Sequence, residues 1–405
     1  MIFLTTVIQL LLLVALVWTA MVTFVGSLAR TTTKQTIITK YHKFAVIICA
    51  HNEADVIAQL LTSLLQQTYP KDAYHVFLFA DHCSDATACI GRKFSEIKVY
   101  ERMTGDRTGK GAVLSWGIKQ IQTEYPDEFE AAIAFDADNI AKENFIEKIN
   151  EAFCRGEKIV MGNRLSLNPY ASLVSKWYTL YWHTVDLLYC KPRAHLGLSA
   201  ILSGTGFAFA LDLLGPSGWQ TASITEDIEF SMQQNLKGVY AGYQEEALFY
   251  DEQPASLAVM FSQLRRWCTG NFQIAVIYWR TWWQHFLKNP SMKLVDNFIP
   301  ITLCVVFGFY VLINIVWLFY NLFLGVNPCT WRDILWWGGL YLLSVLISAY
   351  VTIKEKFSLF KMLPGIFTSS IYCLLFSLIS VYSLFAPQKR WIPIKHAHKG
   401  MMDIR

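Results

Sequence analysis

Charge is scarce in this 405-residue chain: 16% of the residues are Asp, Glu, Lys or Arg, against 54% hydrophobic. Soluble domains carry roughly 25% charged residues, so the deficit points to a membrane. Basic runs are missing as well. The net charge of +4 is made of dispersed Lys and Arg, which gives no contact face for nucleic acid and excludes it as a partner. The nine cysteines stand singly, with no Cys-x-x-Cys pair, which speaks against a zinc site or a disulfide framework. Most fall in the middle of the chain, as suits a reducing compartment, and they read as small buried apolar side chains.

The shortage of charge is concentrated in four stretches. Residues 2–28, 297–331, 334–353 and 362–388 contain no charged side chain, and roughly 20 apolar residues suffice to cross a bilayer. The first stretch lacks a basic leader and reads as an anchor rather than a cleaved signal. Arg30, Lys34, Lys40 and Lys43 follow it, so the positive-inside rule places the middle region in the cytoplasm of a multi-pass cell-membrane protein. The basic connection 354–361 fits a cytoplasmic loop. Four spans put the C-terminus outside, in tension with Lys389, Arg390, Lys395 and Lys399. Apolar spans without charge offer no path for an ion. Two aromatic segments, 176–189 and 277–286, are expected to lie at the headgroup interface in contact with lipid, core packing being the alternative. The expected organisation is a transmembrane helix at 1–29, a cytoplasmic domain with interfacial helices at 30–293, about three spans at 294–388 and a basic tail at 389–405.

The middle region alternates strands and helices. Residues 44–49 form a continuous apolar run of β-formers, the pattern of a buried parallel strand, and 55–66 then show helical spacing. A second strand at 75–80 ends in Asp81-His-Cys-Ser-Asp85, and a third at 131–135 ends in Asp136-Ala-Asp138. This pattern predicts an α/β, doubly wound sheet, in which ligands bind where strands end. Alternate carboxylates at a strand end suit Mg²⁺ or Mn²⁺ shared with substrate phosphates. Taken alone, Asp-x-Asp is equally a solvated turn.

Further motifs follow in order: His51-Asn-Glu53, Gly109-Lys-Gly111, Ser203-Gly-Thr-Gly206, Thr225-Glu-Asp227 and Gln263-x-x-Arg266-Trp267. With Asp81 and Asp136-Ala-Asp138, these resemble glycosyltransferase family 2, in particular its membrane-integrated synthases of cellulose, chitin, hyaluronan and poly-N-acetylglucosamine. The resemblance runs over about 44–271 and implies a GT-A-type fold. It also implies roles. Asn52, Glu53 and Asp81 would hold the nucleoside, Asp81 accepting from an N–H of uracil. Asp136 and Asp138 would hold the diphosphate and its metal. Asp227, beside substrate-binding Glu226, would be the general base of an inverting transfer. Gln263 and Arg266 would steady the departing diphosphate, and Trp267 would stack on the acceptor sugar, all three on one closing loop. Where many members carry Asp-Asp-Gly-Ser, this chain has Ala80-Asp81-His82-Cys83, with His82 expected to be a plain loop residue. Lys110 reads equally as a phosphate contact or a solvated lysine.

The activity implied is transfer from a UDP-sugar, N-acetylglucosamine or glucose first, to a growing β-linked polysaccharide, with processive extrusion and accessory export subunits compatible with it. Single addition to a lipid-linked acceptor and an inactive membrane scaffold are the alternatives.

Overall fold

The computed structural model describes residues 2–29, 38–326 and 330–388. Arg30, Lys34, Lys389, Arg390, Lys395 and Lys399 lie outside the described residues. The strands are β1 (Phe44–Ala50), β2 (Tyr74–Asp81), β3 (Ile97–Arg102), β4 (Ala131–Asp136), β5 (Ile140–Ala141), β6 (Ile159–Ser166), β7 (Phe207–Ala210) and β8 (Gly242–Asp251). The first seven helices are α1 (Ile2–Leu28), α2 (Ile57–Leu65), α3 (Thr87–Gly91), α4 (Lys110–Glu124), α5 (Phe145–Cys154), α6 (Leu173–Thr184) and α7 (Lys191–His195). They are followed by α8 (Glu226–Leu236), α9 (Leu257–Lys288), α10 (Met292–Phe323), α11 (Trp331–Lys354) and α12 (Leu359–Phe385). The described residues divide into two compact units, one built from residues 26–29, 38–167 and 193–252, the other from 2–25, 168–192, 253–326 and 330–388.

The first unit is built on an eight-stranded sheet of order β3-β2-β1-β4-β7-β6-β8-β5. β1 pairs in parallel with β2 and β4, and β2 with β3. These are the strands expected from the apolar runs, and six of the seven residues of β1 are buried, as in a parallel strand at the centre of an α/β sheet. Beyond β4 the sheet becomes mixed: β7 runs antiparallel to both β4 and β6. The sheet is GT-A-like, and its doubly wound part is the parallel half. Phe135, Phe145 and Phe249 meet with ring centroids 5.0–6.1 Å apart, locking α5 beneath β4 and β8.

The second unit is helical. Residues 4–28 of α1, together with α10, α11 and α12, are long and apolar enough to cross a bilayer. The apolar run expected to continue to Trp331 breaks after Phe323. Thr330 caps α11 through a reciprocal pair with Asp333, and a new helix starts there. Polar ties join α1 to its neighbours: Gln9 Nε2 donates to Tyr310 Oη (2.7 Å) and Trp18 Nε1 to Asp296 Oδ1 (2.8 Å). The aromatic segment on α6 departs from an interfacial placement, because Trp177, Tyr178 and Trp182 are buried among side chains of α9 and α12. Core packing accounts for them. On α9, Trp279 and Trp283 remain exposed while Trp282 is buried. The eight cysteines among the described residues are free, yet only Cys190 and Cys268 are buried.

Candidate active site

In the sheet, β2 and β3 extend to one side of β1, and β4 with the mixed strands to the other. That reversal is the topological switch point, where parallel strand ends leave a crevice for a ligand. Two side-chain clusters occupy this end.

The first joins the loops after β1 and β2. His51 Nδ1 donates to the Asp81 carbonyl oxygen (2.6 Å), which leaves Nε2 as the acceptor, and the Arg107 guanidinium points at it. Asn52 adopts a left-handed backbone, φ +57°, and its Oδ1 accepts from the Ser84 N–H (2.8 Å). The Asn52 N–H faces Cys83 Sγ (3.4 Å), and the Glu53 N–H donates to Thr87 Oγ1 (2.8 Å). Asp85 completes the join, accepting from the N–H of Ala54 at 3.0 Å and from the N–H and hydroxyl of Thr87 at 3.0 and 2.6 Å. Desolvation opposes its charge, but the hydrogen bonds from Thr87 and Ala54 prevail and hold its carboxyl below the usual range.

Asp81 itself is 4% exposed. Its Oδ1 accepts from Arg102 Nη1 (2.6 Å) and faces His82 Nδ1 (2.8 Å), so one oxygen is already engaged. His82, expected to be a plain loop residue, thus faces the Asp81 carboxylate. Asp81, His82 and Arg102 form one cluster, braced by Arg102 Nη2 on the Asp106 carbonyl (2.9 Å). Arg102 carries no motif of its own. Only the pairing Asp81↔Arg102 across β2 and β3 brings it in.

The second cluster holds the remaining carboxylates. Lys110 opens α4 and its ammonium meets Asp136 Oδ1 (2.5 Å) and the Gly204 carbonyl (2.6 Å). Burial disfavours that ammonium, but Asp136, Cys49 and Glu226 outweigh burial and keep its pKa above the ordinary value. A solvated loop lysine is therefore excluded. Cys49, at the end of β1, is pushed up to about 12 by desolvation, with Lys110 pulling the other way; it stays a neutral thiol. Gly204, at φ +85°, needs the conformational freedom of glycine, and a Cβ there would stand 3.6 Å from Asp227 Oδ2. Gly111 is required for closeness, since a Cβ would lie 2.7 Å from Thr221 Oγ1 and 3.1 Å from Glu226 Cβ. Asp136, Lys110, Gly204, Glu226 and Asp227 thus share one neighbourhood. Glu226 and Asp227 are the first two residues of α8, 5% and 8% exposed. Glu229 serves the backbone, accepting from the N–H groups of Ala222 (2.9 Å) and Ser223 (2.6 Å).

Asp136 and Asp138 are both partly exposed around buried Ala137, the Asp136 side chain at 43%. Among the described residues no three His, Cys, Asp or Glu side chains form a cage. Two accessible hard carboxylates without a cage fit Mg²⁺ or Mn²⁺, ions that complete their shell with substrate phosphates and water.

Gln263, Arg266 and Trp267 belong to the helical unit and lie within the 32-residue α9, so the motif is helical rather than a loop. Arg265 Nε donates to the Ala386 carbonyl (2.8 Å), its guanidinium lying 5.4 Å from the Tyr382 ring centre. Arg266, one residue on, forms no ion pair among the described residues, and Gln263 Oε1 is buried there without a hydrogen bond. Trp267 stands among Tyr178, Tyr181, Trp182 and Phe376, with ring centres 5.4–6.4 Å away.

The model of a glycosyltransferase-like family 2 domain matches residues 42–270. The chain belongs to glycosyltransferase family 2. Among curated relatives of this glycosyltransferase is a probable glycosyltransferase of Bacillus subtilis, YdaM, 24% identical over 87% of the chain and 83% of the relative. The poly-β-1,6-N-acetyl-D-glucosamine synthase of Staphylococcus epidermidis is 25% identical over 61% of the chain and 58% of its own length. The β-monoglucosyldiacylglycerol synthase of Synechocystis is 24% identical over 64% of the chain. The glycosyltransferase spans little more than half the length of these last two, 58% and 55%. Among solved structures, a mannosyltransferase of Pyrobaculum calidifontis in complex with GDP-Man and Mn²⁺ superposes over 90% of this chain and 97% of its own. Its TM-score is 0.62 at 13% identity, which establishes a shared GT-A fold.

Proposed function

We propose that this enzyme transfers a sugar, with inversion, from a UDP-sugar to a growing β-linked polysaccharide, UDP-N-acetylglucosamine or UDP-glucose being the favoured donors. The observation that carries the reading is the meeting of Lys110, Asp136, Gly204 and Asp227 at the sheet's switch point. Asn52, Glu53 and the Asp81–Arg102–His82 cluster would hold the nucleoside. Asp136 and Asp138 would hold Mg²⁺ or Mn²⁺, which when bound neutralises diphosphate charge. Lys110 adds a fixed positive charge beside the same diphosphate. Asp227 would take the proton of the acceptor hydroxyl as that oxygen attacks the anomeric carbon opposite the leaving diphosphate. Arg266, with no ion pair among the described residues, and Gln263, whose Oε1 is buried there without a hydrogen bond, would steady the departing diphosphate, and Trp267 would meet the acceptor sugar. The four apolar helices would anchor residues 30–293 at the cytoplasmic face of the cell membrane, with 294–388 forming the membrane region.

The likeness to a glucosyldiacylglycerol synthase supports a second reading, one sugar added to a lipid acceptor. Membranes incubated with labelled UDP-N-acetylglucosamine, UDP-glucose and GDP-mannose, each with Mg²⁺ or Mn²⁺, decide between them. A ladder or high-mass product from one UDP-sugar supports the polymer. A single organic-extractable glycolipid replaces it with the second reading. Label from GDP-mannose alone defeats the assignment of the donor.

A further inference from the structure

Behind the two carboxylates of Asp136-Ala-Asp138 lies a buried polar network that joins Thr205 of the Ser203-Gly-Thr-Gly206 motif to Asn139, Arg164 and Asp251, which stand in no motif. Asn139 is 0% exposed and Thr205 1%. The β4–β7 ladder ends at Ala134↔Phe207, two residues before Asp136, whose N–H is captured by side chains instead. It donates to Thr205 Oγ1 (2.8 Å) and to Asn139 Oδ1 (3.3 Å), and the Thr205 hydroxyl in turn donates to Asn139 Oδ1. The Asn139 amide nitrogen reaches Asp138 Oδ1 (3.4 Å) on one side and Asp251 Oδ1 (2.9 Å) on the other. One side chain thereby touches both carboxylate-bearing residues.

The far end of the network is ionic. Arg164 of β6, 5% exposed, pairs with Asp251 of β8 (3.4 Å) and donates to the Ser203 carbonyl (2.5 Å). Its guanidinium lies 5.8 Å from the centre of the Phe249 ring. Ser203 leads directly into Gly204, whose carbonyl holds Lys110. An Arg–Asp pair this far from solvent loses much hydration and is weak evidence for stability. Its partners are better explained by what they orient.

We propose that Asn139 and Thr205, backed by the Arg164–Asp251 pair, are positioning residues that hold the Asp136 and Asp138 carboxylates in the geometry a divalent cation and diphosphate require. The inference rests on the metal–diphosphate role given to those carboxylates under the proposed function. Side chains that orient a ligating carboxylate set metal affinity without touching the metal, typically by about 10–100-fold. The network supplies such an orientation from two strands, β6 and β8, and from the two loops that follow β4 and precede β7.

The test uses the purified full chain and two measurements: Mn²⁺ affinity in the presence of UDP, by titration calorimetry or by loss of the free Mn²⁺ paramagnetic resonance signal, and UDP affinity in EDTA. Asn139→Ala and Thr205→Ala are expected to weaken Mn²⁺ binding by about 10–100-fold and to leave metal-free UDP binding unchanged. Thr205→Ser, which restores the hydroxyl, should return Mn²⁺ affinity towards the wild-type value. Wild-type Mn²⁺ affinity in both alanine variants, with Asp138→Asn abolishing it, would overturn the positioning role alone. Parallel loss of metal-free UDP binding and thermal stability, unrescued by Thr205→Ser, would also overturn it, leaving a purely structural network. If Asp138→Asn itself binds Mn²⁺ with UDP as the wild type does, the underlying metal reading fails and takes the inference with it.

Discussion

The strand-end clusters and the Gln263-x-x-Arg266-Trp267 segment are built on opposite plans. At the strand ends several charged side chains are held by another. Asp81 has Arg102 and His82, Asp85 has Thr87, and Asp136 has Lys110. On α9 the neighbouring Arg265 is tied to the end of α12, whereas Arg266 has no ion pair and Gln263 Oε1 no hydrogen bond among the described residues. A charge satisfied by protein needs no ligand to stay in place. One left unsatisfied costs free energy until a ligand arrives. Under the proposed function, the first region would be preorganised for the nucleotide and the second poised for a charged partner.

The sharpest test of that contrast is at the carboxylates. Asp138→Asn should abolish transfer and metal-dependent UDP binding together. Asp227→Asn should leave UDP binding nearly intact while slowing turnover by about 100-fold or more, the scale of losing a general base. Single-turnover assays beside UDP titrations separate the two. Retained turnover in Asp227→Asn would move the base to Glu226, since Glu229 is already engaged by two backbone N–H groups.

A smaller effect separates the two arginines. Arg266→Ala should weaken UDP binding by about 1.5–3 kcal/mol, the worth of a charge-assisted hydrogen bond. Arg265→Ala should spare UDP affinity and lower thermal stability instead, because it releases the carbonyls of Ala386 and Pro387. An equal loss of UDP affinity in both variants would break the distinction between held and unheld groups. Trp267→Ala should shorten the product and leave UDP affinity alone, as read by sizing the polymer and titrating UDP in one preparation.

What the sequence disclosed follows from the range of its signals. β1, β2 and β4 and the carboxylates at their ends were legible because a buried parallel strand is a local apolar run that ends in polar residues. The four apolar stretches were legible for a similar reason. The antiparallel placement of β7 was not, since no local pattern fixes which strand pairs with which. Asn139 and Asp251 are 112 residues apart, and Asp81 meets Arg102 only through strand register; neither partner stands in a motif. The α6 aromatics misled because Trp and Tyr suit a headgroup interface and a helix–helix core alike.

The smallest expected effect probes how firmly the first region is held, and Asp85 is the place to look. Its carboxyl lies below the ordinary range through hydrogen bonds from Thr87 and Ala54, working against desolvation. A group whose pKa falls on folding adds stability above its unfolded value, near 3.8, and loses it as pH drops through the folded value. Asp85 is exposed, so solvent discounts the contribution to roughly 0.5 kcal/mol. Asp85→Asn keeps the shape but not the charge. At neutral pH it should lower the melting temperature slightly, and the gap to wild type should narrow below 3.8 and close only once pH has passed the lower folded value, where the aspartate too is neutral. A gap that persists unchanged to acid pH would mean that the shape of the Asp85–Thr87 turn, rather than its charge, joins the two loops.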